Sequence, residues 1–363
     1  MKILSAIQRP TLVVNKDRVL KNIERMAAKA RRNQVRFRPH FKTHQSPLIG
    51  RWFRDFGLDC ITVSSVEMAH TFSRDGWSDI TIAFPVNLRE LDEINQLAGK
   101  IRLNLLVESV EVVRNLNEYL DYPVGVWIKI DLGYHRTGID WSDSPQILKI
   151  ARLLTKSPGL EFKGLLAHFG DTYQAASPKE IRAIYSRSME RLQTVKSVLE
   201  SKGFSEIELS IGDTPSCSLV DDFQGVDEIR PGNFVFYDAM QWRLGVCQVE
   251  DIAAVVACPV VARHPSRNEI VIYGGAIHLS KEFLLEAQRK VFGYPVRPIP
   301  LGWGAIWPDS YLSRLSQEHG IVQMRTDSFQ KFQVGDLLPV IPVHSCLAAH
   351  LLKDHMVIID FDK

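Results

Sequence analysis

The sequence is short of cysteine. Its 363 residues hold five, Cys60, Cys217, Cys247, Cys258 and Cys346, an odd number at wide spacing with no C-x-x-C. That excludes a disulfide framework and a four-cysteine zinc module. A surplus of one charge is also lacking, with 44 Lys and Arg against 42 Asp and Glu and a formal net charge of +2. A general nucleic-acid binder needs a strong basic excess, so no nucleic-acid partner is expected. No stretch approaches the ~18 uninterrupted apolar residues of a membrane span. The first ten residues carry no long apolar leader. A cytoplasmic protein without a membrane partner is expected. What is present is a 45% hydrophobic content, ample for a large core.

Apolar runs alternate with amphipathic stretches from about residue 11 to residue 240. Thr11 to Val14 reads as a short strand and Lys16 to Arg32 as a helix, with Val19, Leu20, Ile23 and Met26 at helical spacing. Eight strand-like runs follow. They are Val35 to Arg38, Cys60 to Val63, Ile80 to Phe84, Ile101 to Val107, Val124 to Ile130, Leu160 to Ala167, Ile207 to Ile211 and Val226 to Arg230. Helical patterns separate most of them: 65–74, 88–98, 110–119, 145–154 and 178–202. This alternation implies an α/β fold, a (β/α)8 TIM-type barrel, with a doubly wound sheet as the alternative. After Tyr237 short β-rich runs take over, at 252–261, 269–273, 320–325, 337–343 and 356–361, with Lys281 to Val291 the best helical signal. The expected organisation is a barrel over 10–243 and a mainly antiparallel β domain over 244–363, joined by residues 1–9.

Several motifs fall at the carboxyl ends of the expected strands, where barrels build active sites. Arg38-Pro39-His40-Phe41-Lys42-Thr43-His44 follows the first. A lysine in a partly dry mouth can serve as a nucleophilic amine, and the flanking positive charge suits a phosphate. By itself the segment also reads as a basic surface loop. Asp131-Leu132-Gly133-Tyr134-His135-Arg136-Thr137-Gly138 offers Arg136 to an anionic oxygen. His168 ends the sixth strand. Gly212, Asp213 and Thr214 form a turn whose backbone N–H groups can cradle an anion, although the Asp213 carboxylate is awkward beside phosphate. Arg230 and Tyr237 could reach a ligand in the mouth. In the second domain, Val343-His344-Ser345-Cys346 on an extended segment would present His344 and Cys346 on one face. That borderline-soft pair suits Zn²⁺ in an open site. Glu318, His319 and His350 are candidate additional groups.

Taken together these residues resemble the pyridoxal-phosphate enzymes of fold type III, the alanine-racemase-like barrels. Within them the D-serine dehydratase and D-threonine aldolase branch is most similar, from about Pro10 to the C-terminus. The resemblance implies Lys42 as the cofactor lysine, in a segment that includes Arg38 and His40. The D-x-G-x-x-R-x-G pattern falls on Asp131, Gly133, Arg136 and Gly138, which would set Arg136 near the ring oxygen. His168 would lie against the pyridine ring, Gly212, Asp213 and Thr214 at the phosphate, Arg230 near the pyridine nitrogen and Tyr237 near the phosphate. Asp213 departs from the small residue usual at its position. A C-terminal H-x-C or H-x-D pair implies a divalent metal on His344 and Cys346, Zn²⁺ first, with Mn²⁺ or Mg²⁺ as alternatives.

The implied activity is dehydration and deamination of a β-hydroxy-D-amino acid, with Lys42 taking the α-proton. Retro-aldol cleavage to glycine and an aldehyde is the alternative, and the cysteine of the metal pair resembles the dehydratases more than the aldolases. An amino-acid racemase would need a second acid/base, for which Tyr273, Tyr294 and Tyr311 are available without matching context. A non-catalytic cofactor carrier and an unrelated barrel remain as further rivals. Arg243, Trp303 and Trp307 are candidates for reading the β-substituent. The partner is a small amino acid, and a homodimer is implied by the resemblance.

Overall fold

The computed structural model describes residues 6–299 and 302–360. The chain forms two compact units, Arg25–Lys42 with Pro47–Gly232, and Met1–Glu24 with Thr43–Ser46 and Asn233–Lys363. Strand β1 spans Thr11–Asn15. The strands of the first unit follow: β2 Arg36–Phe37, β3 Cys60–Val63, β4 Asp79–Pro85, β5 Arg102–Val107, β6 Val124–Asp131, β7 Ile139–Asp140, β8 Leu160–Ala167, β9 Glu208–Ile211 and β10 Glu228–Ile229.

The first unit is the expected α/β barrel. Its parallel sheet runs β2-β10-β9-β8-β6-β5-β4-β3, with the short β7 on β6. Thr62 N–H donates to Pro39 O at 2.9 Å and Phe41 N–H donates to Thr62 O at 2.8 Å, so the segment after β2 meets β3 and the barrel is nearly closed. Every residue of β6 is buried, as expected for a strand covered on both faces. The connecting helices start where the sequence offers caps. Ser65, Ser109, Asp143 and Ser177 each accept a backbone N–H of the first turn.

The second unit is built on an antiparallel sheet. Its strands are β11 Ala254–His264, β12 Glu269–Tyr273, β13 Leu284–Glu286, β14 Arg289–Val291, β15 Gly293–Ile299, β16 Gly302–Ile306, β17 Tyr311–Leu315, β18 His319–Gln323, β19 Leu337–Pro342 and β20 Met356–Ile359. The path is β16-β15-β19-β11-β12-β18-β17.

Three expectations change. Residues 10–24 do not count with the barrel, because β1 pairs with β11 (Val13 opposite Val255) and with β20 (Val13 opposite Val357). All five residues of β1 are buried, and alternation alone cannot say which sheet a buried strand joins. The expected helix 281–291 is the β13–β14 hairpin. Ala287 and Gln288 take positive φ, 44° and 66°, which is turn geometry usually signalled by Asn-Gly. The expected extended segment 343–346 ends at His344, and a helix runs from Ser345 to Leu351. Of the regions named from sequence, residues 1–5 and the strand end Phe361 lie outside the described residues.

Candidate active site

The candidate site of the barrel begins with Phe41. Its ring packs on Phe53, Phe72 and Trp77 at 4.9, 4.9 and 5.2 Å. That anchor fixes the backbone and leaves the next side chain, Lys42, exposed. His40 Nδ1 accepts the Lys42 N–H at 3.4 Å. At the end of β8, His168 Nδ1 meets the Gly212 carbonyl at 2.5 Å. A carbonyl only accepts, so Nδ1 carries the hydrogen and Nε2 is left as an acceptor. Tyr134 and Tyr173 flank the His168 ring at 6.3 and 6.0 Å. The Tyr173 hydroxyl accepts the Thr214 N–H at 3.2 Å. Gly212 permits the close approach of Arg230, whose Cβ would lie 3.0 Å from an added one. Arg230 is held by Ser210 Oγ at 2.7 Å and by the Ala167 carbonyl at 2.8 Å. Gly138 takes φ 110°, closed to other residues, and Arg136 lies 5.4 Å over the Tyr134 ring.

These groups form a cationic cluster. Burial first, then the charges of Lys42, Arg230, His168 and Arg136, hold His40 well below the usual imidazole range. Burial, Arg136, Lys42 and Lys129 do the same to His168, against the bond to Gly212. Burial and the charges of Arg230 and Arg136 press Lys129 down to about 7. Burial lowers Arg230 to about 10 despite Glu228. So much positive potential at a barrel's carboxyl end suits an anion. Lysine amine, arginines and backbone N–H groups together fit an anionic, phosphate-bearing carbonyl cofactor.

Two residues named from the sequence point elsewhere. The Arg38 guanidinium does not join the cluster. It is 4% exposed and bonds Glu228 Oε2 at 2.7 Å and Asp79 Oδ1 at 2.6 Å, and Asp79 begins β4. Arg38 is therefore directed toward the amino ends of the strands, because two carboxylates there neutralise it. The Asp213 carboxylate caps the helix Thr214–Leu219, accepting from Ser216 N–H at 2.6 Å and Thr172 Oγ1 at 3.1 Å. That turn answers the awkwardness of its charge. Burial pushes its pKa up to about 6.

The remaining named residues lie in the second unit. Tyr237 is buried at φ 49°, its N–H on the Asn233 carbonyl at 2.7 Å. His344 precedes the helix Ser345–Leu351 and Cys346 sits in its first turn. The strand-to-helix turn, not strand alternation, brings imidazole and thiol within hydrogen-bonding reach. Burial would lower the His344 pKa, but the bonds to Cys346 and Glu282 outweigh it and raise it. Asp238 accepts the Ser345 N–H at 2.9 Å, and Asn233 bonds Asp238, Ser345 and the Cys346 sulfur. His319 turns to Ser316 and His350 to Gln45. Among the described residues no group of three or more His, Cys, Asp or Glu is arranged to hold a metal. One nitrogen and one sulfur donor together still fit a borderline-soft divalent ion with coordination positions left for substrate. Trp303 and Trp307 are core residues, and Arg243 pairs with Glu286 at 2.9 Å. Tyr294 also bonds Glu286, and Tyr311 lies under Arg289.

Sequence reasoning missed Lys129, Tyr134 and Tyr173 in the barrel, and Thr43, Asn233, Asp238 and Glu282 around the second pair. Lys129 had a signal. It lies two residues before Asp131 on one strand, hence on the same face. Tyr134 and Thr43 stand inside motifs named from the sequence, without a role of their own, and Tyr173, Asn233, Asp238 and Glu282 meet their partners only through the fold.

A nearly closed parallel barrel with a cation-lined carboxyl end is an enzyme scaffold for an anionic cofactor. Residues 14–239 match the family model for the alanine racemase N-terminal domain, and residues 253–358 match a putative serine dehydratase domain. The chain belongs to the alanine racemase N-terminal domain family, pyridoxal-phosphate enzymes of fold type III. It is 30% identical to D-threo-3-hydroxyaspartate dehydratase of Delftia sp. (strain HT23), over 94% of this chain and 92% of the relative. It is 29% identical to D-serine dehydratase of Dictyostelium discoideum, over 98% and 94%. A solved D-threo-3-hydroxyaspartate dehydratase, a cysteine-to-alanine mutant in the metal-free form, superposes with a TM-score of 0.91 at 28% identity, covering 99% of this chain and 96% of that one. No helix among the described residues is long and apolar enough to cross a membrane.

Proposed function

We propose that this protein is a pyridoxal-phosphate- and metal-dependent lyase that dehydrates β-hydroxy-D-amino acids, whose products hydrolyse to a 2-oxo acid and ammonia. The observation that carries the reading is the cluster of Lys42, Arg136, Arg230 and Lys129 at the carboxyl end of the barrel, where burial first, and then the charges of Lys42 and Arg136, hold His40 and His168 toward neutrality. The names of the relatives support the substrate class and its D-configuration.

When bound, pyridoxal phosphate supplies an electron sink for the α-carbon, and a divalent metal supplies a Lewis acid for the β-hydroxyl. Lys42 is the residue that would hold the cofactor covalently, and its ε-amine, when free, would be the base that takes the α-proton. Arg136 and Arg230 would orient and charge-balance the ring, and neutral His168, fixed by Gly212, would lie against it. The turn Gly212 to Thr214 and the hydroxyl of Tyr237 would hold the phosphate. His344 and Cys346 would hold the metal, and their nitrogen and sulfur donors would favour Zn²⁺ over Mn²⁺ or Mg²⁺. We read the protein further as a cytoplasmic homodimer acting on a small amino acid.

The test incubates the purified protein with D-threonine, pyridoxal phosphate and Zn²⁺ and identifies the products. The expected products are 2-oxobutanoate and ammonia. Glycine with acetaldehyde would make the protein an aldolase and overturn Lys42 as the α-proton base.

A further inference from the structure

Glu282 stands beside His344 for a reason that the metal pair alone does not give. Its Oε2 lies 3.0 Å from His344 Nδ1. A carboxylate only accepts, so Nδ1 carries the hydrogen and the lone pair is placed on Nε2. A metal-binding imidazole needs that tautomer and a fixed ring plane, and a carboxylate on the far nitrogen sets both while making the ring more basic.

The backbone that carries Glu282 is shaped for this contact. The helix Ala276–Leu279 ends at Ser280, which takes φ 67° and ψ 178°. That region belongs almost entirely to glycine, and a serine is held there only where its surroundings require it. The Ser280 hydroxyl then accepts the Glu282 N–H at 3.2 Å, closing a tight turn. Strain at Ser280 thus fixes the direction of Glu282. Ser280, Lys281, Glu282, Phe283 and Leu347 line an open cavity, so Glu282 lies at an accessible wall. On the other side, Asp238 and Asn233 hold Ser345 and the Cys346 sulfur. The histidine and the cysteine therefore each have their own support.

We propose that Glu282 is a positioning residue for metal binding: through Nδ1 it fixes the tautomer and orientation in which His344 presents Nε2 to a divalent ion, and the Ser280 turn fixes Glu282. The proposal rests on the reading of His344 and Cys346 as the metal pair.

The test strips the full-length, cofactor-loaded protein of metal and titrates Zn²⁺ back against a chromophoric chelator. The comparison covers the unmodified protein, Glu282→Ala, Glu282→Gln, Glu282→Asp and Cys346→Ala. Glu282→Ala is expected to weaken Zn²⁺ binding by about 10–100-fold. Glu282→Gln keeps an acceptor without the charge and is expected to lose less, and Glu282→Asp is expected to recover part of the affinity. The metal-free melting temperature is expected to stay that of the unmodified protein, which separates positioning from a structural role. Co²⁺ substitution is expected to keep a sulfur-to-metal charge-transfer band in Glu282→Ala with altered d–d bands. If Cys346→Ala loses Zn²⁺ while Glu282→Ala and Glu282→Gln bind it like the unmodified protein, the positioning role is overturned and the metal pair stands. If the unmodified protein binds no Zn²⁺, or Cys346→Ala binds it equally well, the metal pair fails and this proposal with it. Should Glu282→Ala not fold, Glu282→Gln decides alone.

Discussion

Thr43 Oγ1 stands 3.2 Å from Cys346 Sγ, and Thr43 is the residue that follows Lys42 in the chain. A hydroxyl that donates to sulfur favours the thiolate, the form that binds metal. Gln45 reinforces the same loop through His350, at 3.1 Å. The loop after Lys42 is thus secured by the helix that carries Cys346.

Thr43→Val keeps the shape and removes the hydroxyl. Zn²⁺ affinity should fall by about 2–10-fold, the worth of a typical net hydrogen bond. Thr43→Ser should restore it, and cofactor loading should be unchanged in both because Lys42 remains. A chelator-competition titration reads the affinity. Equal affinity in Thr43→Val and the unmodified protein would reduce the contact to packing.

Lys42→Ala removes an exposed side chain, so the fold should survive with an unchanged melting temperature. The yellow absorbance of a lysine-bound cofactor should disappear and turnover should fall to background. Borohydride reduction followed by peptide mapping should find the cofactor on the Lys42 peptide of the unmodified protein. A label on Lys129 would transfer the covalent role to the buried lysine of β6.

Much of this was legible in the sequence, and the gaps have physical causes. All eight barrel strands fall on apolar runs, most of them separated by helical periodicity, since a parallel strand covered on both faces tends to be continuously apolar. The region 281–291 was misread because a hairpin turned by Ala287 and Gln288 lacks the Asn or Gly that usually marks it. Arg38 was grouped with Lys42 because they are close in sequence, yet Glu228, 190 residues away, decides where it points. Glu282 was invisible for the same reason. It meets His344 across 62 residues, and only the fold brings them together.

Asp79, Arg38, Glu228, Ser210 and Arg230 form a continuous chain of ion pairs and hydrogen bonds through the barrel interior. Glu228 is fully buried. Burial would raise its pKa, but the charge and hydrogen bond of Arg38 prevail and lower it. Glu228→Gln leaves Arg38 undercompensated and should cost about 3 kcal/mol or more. A carboxylate lowered in the folded state stabilises above its unfolded pKa of ~4.3 and loses that contribution as pH falls through the folded value. Urea unfolding at pH 6 and pH 3.5 should therefore show a smaller loss of stability in Glu228→Gln than in the unmodified protein. Equal losses would mean that the fold does not lower the Glu228 pKa, and a smaller loss in the unmodified protein would mean that Glu228 is protonated in the fold.

Lys129 gives the same sign of pH dependence in a higher window, and there the rise comes from a penalty relieved. It is 6% exposed, its Nζ donates to the Ile130 carbonyl at 2.8 Å, and burial beside Arg230 presses its pKa to about 7. The unfolded lysine titrates near ~10.4. Between those two values the unfolded chain binds the extra proton, so this group makes stability rise with pH from about 7 toward 10. Below pH 7 both states are charged and the penalty of the buried ammonium is constant. Lys129→Met removes the penalty and keeps the bulk of the side chain. In cofactor-free protein the variant should be more stable than the unmodified protein at pH 7, and the difference should shrink steadily by pH 9. Urea midpoints at pH 7, 8 and 9 measure it. A variant less stable at pH 7 would show that the Lys129 ammonium is stabilised by a paired anion, and Asp131 and Glu108, which raise its pKa against the burial, would then dominate.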